Sequence, residues 1–283
     1  MNGFRSLAGD IRQRCDKMGS SVALAGEGCG ESWLPYLDLM LCLQVSKERY
    51  TAPDGWEPIP FFPAVYHAYA VTYGNYSSLT MPPYDDLWPA EFAPKEPLKL
   101  LDRKFSQQFL LEQARAFVWG QQPTVANFLP SHLADRTEET DYMMRLARLR
   151  SQATKYLLHG TFLRPPEIHA PEGTLDLSRL SIYAGQKGGL TAFQKRLPLA
   201  IAGAWRAPDG DVAIALASIA DEAIALSLSP DANYYHIPKS AKVYRTDELG
   251  RKPLAGIGKR ALPVEVTLAA RGACLLEFTS RAR

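Results

Sequence analysis

The chain has 283 residues, 46% of them hydrophobic and 10% aromatic, and its 32 lysines and arginines nearly cancel 30 acids to leave a net charge of +2. That is an ordinary globular composition, and at about 100–200 residues per domain it leads us to expect two domains. It excludes the usual marks of a nucleic-acid or membrane partner: there is no basic stripe, no acidic tail and no window near the ~18–20 apolar residues of a membrane span.

Residues 4–18 open the chain with Phe4, Leu7, Ile11 and Cys15 at helical intervals, and Gly19 stops the run. This N-terminus has no apolar run of signal-peptide length, so the chain as given is expected in the cytoplasm, a reading tied to where the true start lies. Residues 21–27 then form a short apolar run ending in Glu27 between two glycines. Helix, glycine turn, strand and polar loop are the repeating unit of a parallel α/β architecture. Residues 37–44 are a second apolar run, strand or buried helix by periodicity alone. Residues 51–63 are rich in proline and predict a loop. Residues 64–73 (AVYHAYAVTY) have the aromatic and β-branched content of a strand. Residues 80–97, again proline-rich, predict a long excursion of the kind that covers active sites.

A helix is predicted over 98–117, followed by Trp119, Gln121 and Gln122 at the end of a last strand, and a long helix over 131–158. In that last helix Met144, Leu146, Leu149 and Tyr156 share a face. Prolines at 165, 166 and 171 mark a linker. Beyond it, 197–204, 212–216, 224–228 and 264–268 alternate with period two, and Ala207–Gly210 carries a hairpin signal between the first pair. Strands at this spacing without helices predict an antiparallel β-sandwich. Gly185–Gly189 has no helix after it and is expected to be a turn. The expected fold is therefore α/β followed by all-β: a partial (β/α)8 barrel, its C-terminal half, over 1–168, and a β-sandwich over 174–283. A closed barrel takes eight strands and about 250 residues. Residues 1–165 supply three or four strands, so either upstream sequence provides the rest or this stretch is a smaller open sheet.

Four stretches, AGEGCGESWLPYLDLMLCLQ, PAVYHAYAVTYGNY, ARAFVWGQQPT and LLHGTFLRPPEI, resemble consecutive parts of a bacterial family of glycoside-hydrolase-like proteins defined by a domain of unknown function. That family is distantly similar to α-galactosidase-type barrels. The resemblance covers roughly residues 1–165. It implies a barrel with its sugar site at the C-terminal strand ends, and it implies that the first barrel strands, with one catalytic carboxylate among them, are absent from this sequence.

Glycoside hydrolysis uses two carboxyl groups flanking the scissile bond. Glu27 is the leading candidate, because a carboxyl at a strand end can be partly desolvated and so act as a proton donor. The other reading of Glu27 is a helix cap or an arginine partner. Glu31 is the second carboxylate, or else a charge in the first turn of a helix. Asp38, inside an apolar run, is either a buried partner for an arginine or a site residue. Tyr66, His67 and Tyr73 offer sugar-stacking rings and polar atoms if 64–73 is a strand, on which 67, 69, 71 and 73 share a face. Their alternative is a core strand with a hydrogen-bonded histidine. Trp119, Gln121 and Gln122 would supply a platform and amides, or Trp119 is simply buried.

Cys15, Cys29, Cys42 and Cys274 show no CxxC or zinc spacing. Cys29 and Cys42 are expected as buried thiols, with room for one disulfide among the four. No motif for a cofactor or metal is present. The expected function is hydrolysis of an α-linked carbohydrate. The alternative is a non-catalytic carbohydrate-binding or assembly protein, and a third reading is an unrelated small α/β domain. The expected partners are a carbohydrate and either a second copy or the missing barrel half.

Overall fold

The computed structural model describes residues 2–18, 21–49, 59–74, 77–81, 99–180, 190–254 and 264–279. The excursion expected over 80–97 falls almost wholly outside them, as do the Gly185–Gly189 turn and residues 51–58 of the expected proline loop.

Helix α1 (Asn2–Asp16) forms where the apolar spacing predicts it, but Phe4, Leu7 and Ile11 are exposed rather than buried. Arg12 fastens it to the rest, donating to the Val22 carbonyl at 2.9 Å and to Asp38 at 2.9 Å. Three short strands then run parallel: β1 (Ala25–Gly26), β2 (Leu39–Leu41) and, after helix α2 (Phe61–Tyr66), β3 (Val71–Tyr73). Gly26 pairs with Met40, and Leu41 with Tyr73. Gln122 adds a parallel bridge to Tyr73, so a fourth segment follows in the same direction.

Helix α2 overturns the strand expected over 64–73. Pro60 and Pro63 fall at its N-cap and first turn, where a missing backbone N–H costs nothing. Phe62 and Tyr66, one turn apart, then pack ring to ring at 4.9 Å. Only Val71–Tyr73 remains extended, so the alternating face expected of 67, 69, 71 and 73 does not exist, and Tyr69 is exposed.

Helix α3 (Ser106–Val118) starts later than expected, after a 3₁₀ turn over Arg103–Phe105 whose Asp102 cap accepts from the Lys104 amide. Every residue from Gln108 to Val118 is buried. The single helix expected over 131–158 is three: α4 (His132–Asp135), α5 (Thr137–Gln152) and α6 (Thr154–Leu157). At Arg136 the backbone leaves helical geometry (φ −134°, ψ 45°), and its guanidinium turns inward to the Leu101 carbonyl. Leu146, Leu149 and Tyr156 are buried as expected, whereas Met144 is exposed.

The remaining strands are β4 (Thr161–Leu163), β5 (Ile168–His169), β6 (Glu172–Leu180), β7 (Leu190–Pro198), β8 (Ala200–Arg206), β9 (Val212–Ser218), β10 (Ile224–Leu228), β11 (Lys242–Asp247), β12 (Gly250–Pro253), β13 (Val264–Leu268) and β14 (Ala273–Thr279). All pair antiparallel, in a six-stranded sheet ordered β12-β11-β14-β9-β8-β4, a three-stranded sheet ordered β13-β10-β5, and the β6–β7 pair. The molecule thus mixes helices with antiparallel sheets beside one short parallel sheet. The strand expected over 197–204 is split at Leu199, whose amide donates instead to the Pro171 carbonyl. The 207–210 hairpin turn forms, with Gly210 at φ +90°.

The core is organised by β9, buried along its whole length. Successive side chains of a strand point to opposite faces. Ala213, Ala215 and Ala217 join α3, α5 and Trp205 in one apolar cluster. Val212, Ile214 and Leu216 join the three-stranded sheet through Leu226, Leu228, Val266 and Leu268 in another. The alanine face lets the helices approach closely, and β8 tightens that approach. A Cβ on Gly203 would collide with the Val118 carbonyl at the end of α3, while the Trp205 indole donates to that same carbonyl at 3.0 Å. Gly203→Ala should therefore cost about 1–3 kcal/mol, the usual penalty for overpacking. Thermal unfolding checks this, because an unchanged midpoint would mean α3 does not seat on Gly203.

Candidate site at the carboxyl edge of the parallel strands

In open parallel sheets ligands gather outside the carboxyl ends of the strands. At that edge Gly28, at φ +87°, turns the chain away from β1 immediately after Glu27. Extending the β1–β2 register brings Glu27 level with Leu41 and Tyr73. The Tyr73 hydroxyl reaches across to the Gly26 carbonyl at 3.3 Å. Glu31 opens a 3₁₀ turn (Glu31–Trp33), and its Oε2 accepts from the Tyr66 hydroxyl at 2.6 Å. Gln122 is joined to the sheet through its amide, which donates to the Thr72 carbonyl at 2.9 Å. Gln121 is buried beside the Cys42 thiol. The strand ends thus carry Glu27, Tyr73 and Gln122, with Gln121 fully buried behind them, while Glu31 and Tyr66 form a pair on the segments that lead from β1 to β2 and from α2 to β3. Glu27 is exposed, where partial desolvation had been expected.

Three expected site residues lie elsewhere. Asp38 precedes β2 and so stands at the opposite, amino end of the sheet. There it pairs with Arg12 at 2.9 Å and accepts from the Leu24 amide at 2.8 Å. His67 is buried against Trp205, ring centroids 4.7 Å apart, because α2 rather than a strand carries it inward. Burial pushes its imidazole down to about 4, and the Arg150 charge acts in the same direction. Trp119 ends α3 instead of a strand and is buried. It lines, with Arg115, Pro166, His169 and Leu197, a cavity of about 770 Å³ between α3 and the β-strands.

Two features escaped the sequence. Cys29 is exposed, not buried, and its Sγ lies 3.0 Å from the Leu41 carbonyl oxygen. The available signal was that Cys29 and Cys42 both follow the carboxyl ends of predicted neighbouring strands. The second feature is a pair of buried ion pairs that attach α3 to the 3₁₀ segment Leu43–Arg49. Arg49 binds Glu112 through two bonds of 2.6 and 2.9 Å, and Arg115 binds Glu48 at 2.7 and 2.9 Å. Among the described residues no group of three or more His, Cys, Asp or Glu side chains could hold a metal ion, and no helix is long and apolar enough to cross a membrane.

The domain of unknown function DUF6259 matches residues 1–77. No curated protein matches the chain. Solved structures similar to it are glycoside hydrolases at low identity. A β-L-arabinopyranosidase of glycoside hydrolase family 27 from Geobacillus stearothermophilus aligns over 99% of this chain and 55% of its own, at 9% identity and a TM-score of 0.47. The α-galactosidase I of Mortierella vinacea aligns over 97% of this chain and 62% of its own, at 8% identity and a TM-score of 0.41. The chain therefore spans little more than half the length of these enzymes.

Proposed function

We propose that the chain supplies the closing part of a (β/α)8-type barrel over 1–168 and a β-sandwich over 174–283, and that its parallel strand ends form part of the sugar site of a glycoside-hydrolase-like enzyme. Support for the fold reading comes from β1, β2, β3 and Gln122 sharing one direction, and from the two antiparallel sheets meeting across one apolar cluster. The observation that carries the functional reading is that Glu27 and Tyr73 stand at the carboxyl edge next to Gln122, and that the loop after Glu27 also bears Glu31, bound to Tyr66. Sugars present hydroxyls that need such partners and C–H faces that pack on rings. In this reading Glu27 is the proton donor. Glu31, oriented by Tyr66, is the second carboxylate, and Tyr73 and Gln122 hold hydroxyls, with the buried Gln121 behind them. The bound carbohydrate is α-linked.

The test is a panel of nitrophenyl α-glycosides, with calorimetry of the matching sugars, on the whole protein and on Glu27→Gln. A positioned general acid contributes about 10²–10⁴-fold, and an exposed one belongs at the lower end. Glu27→Gln should therefore lower turnover about 100-fold while sugar binding persists. Unchanged turnover removes Glu27 from the chemistry. Sugar binding with no hydrolysis by the unaltered protein would replace the enzyme with a carbohydrate-binding protein, and absence of both would end the sugar reading.

A further inference from the structure

The two thiols at the carboxyl edge form a unit that the sugar reading does not use. Cys29 sits on the loop between Glu27 and Glu31, while Cys42 directly follows β2 and is buried. The Leu41 carbonyl oxygen, 3.0 Å from the Cys29 Sγ, belongs to the peptide unit that leads into Cys42. The β1–β2 pairing (Gly26 with Met40) and the bond from the Cys42 amide to the Tyr73 carbonyl at 2.8 Å fix the backbone on both sides. The Cys42 Sγ itself lies 4.0 Å from the Gln44 Oε1. The other two cysteines stand apart from Cys29 and Cys42, Cys15 on α1 and Cys274 buried in β14.

We propose that Cys29 and Cys42 form a reversible disulfide that clamps the Glu27–Glu31 loop to the end of β2. The two thiols differ as the partners of such a bond should. The neighbouring Cys42 lowers the exposed Cys29 thiol below its ordinary range, whereas Cys29 and burial raise the Cys42 thiol, so Cys29 is the nucleophile and Cys42 the resolving group. The oxidant is a small-molecule disulfide such as glutathione disulfide. The Cys29 thiolate attacks one of its sulfurs and expels a glutathione thiolate, which takes up the Cys29 proton. Cys42 then loses its proton, attacks Cys29 Sγ in the mixed disulfide and expels the second glutathione as a thiol. Two S–H bonds of the protein become one S–S bond, and the two electrons and two protons leave in two glutathione molecules. The bond would hold the loop bearing both carboxylates, whatever ligand the site takes.

The test needs no variant. The whole protein is equilibrated with glutathione disulfide, free thiols are alkylated, and the denatured protein is digested with trypsin. No lysine or arginine lies between Met18 and Lys47, so one peptide carries both cysteines. The expected product is that peptide without alkyl groups and two hydrogen atoms lighter, restored to the doubly alkylated form by dithiothreitol, with Cys15 and Cys274 alkylated throughout. In the reduced native protein Cys29 should alkylate about tenfold faster than Cys42 or more, given its exposure and thiolate character. Cys42→Ser should stop the reaction at a Cys29–glutathione adduct. A doubly alkylated peptide after oxidation, a stable glutathione adduct on the unaltered protein, or a link from Cys29 to Cys15 or to a second copy would overturn the proposal.

Discussion

Replacing Glu112 by alanine is expected to cost about 3–5 kcal/mol, the penalty for stripping one partner from a buried ion pair. Both Arg49 and Glu112 are fully buried, and the guanidinium forks onto the carboxylate. Burial pushes the Glu112 carboxyl above the usual carboxylate range, and the contact with Arg49 opposes that shift. Without Glu112, the Arg49 charge would keep the Ser78 carbonyl at 3.2 Å and a long 3.5 Å contact to Ser178, too little to balance its desolvation. A domain's stability totals about 5–15 kcal/mol, so this single truncation removes a large share. Urea unfolding should show a lower midpoint at an unchanged slope. The double variant Arg49→Met with Glu112→Leu should recover most of the loss, since an apolar pair of similar volume escapes both desolvation penalties. A loss under about 1 kcal/mol for Glu112→Ala would show that water reaches the pair.

The second large effect depends on pH. His67 is neutral in the folded protein down to about 4, while an unfolded histidine titrates near 6.5. As pH falls below that unfolded value, the unfolded chain takes up a proton that the folded chain refuses. Stability present at pH 7 is therefore lost between about 6.5 and 4, and the 2.5-unit gap corresponds to roughly 3 kcal/mol. Other groups titrate in the same window, so the informative quantity is the difference from His67→Phe. That variant keeps a ring against Trp205 and should have a pH profile flatter by about this amount between pH 7 and 4. Parallel profiles for the two proteins would mean that the imidazole is protonated in place.

How much of this was legible depended on how many faces of an element meet water. Strands β10 and β13 alternate buried and exposed residues, and their expected bounds, 224–228 and 264–268, match those observed. Strand β9 reads as a strand from the period-two alternation of its side-chain sizes, although both of its faces are buried. Helix α2 was misread because aromatic content stood in for periodicity, when Pro60 and Pro63 and the Phe62–Tyr66 stack decide for a helical turn. That one error put His67 at the proposed sugar edge, whereas it lies in the core against Trp205. Asp38 does stand beside an arginine, as one of its two readings had it, but exposed rather than buried, and which end of the sheet it occupied depended on where β2 begins. The charges at 48, 49, 112 and 115 look like solvated surface in a sequence, because their partners lie more than sixty residues away. Their one local clue is scarcity: α3 carries only Glu112 and Arg115 as charged residues, on a helix otherwise fit for burial.

The size alternation of β9 has a consequence for how the chain finds one structure. A one-residue slip would thrust Val212, Ile214 and Leu216 into the narrow gap that three alanines now fill, and would leave those alanines to line a hollow between the sheets. Steric conflict on one side and lost contacts on the other would arise together, so the strand discriminates against its own misregistered forms by shape as well as by hydrophobicity.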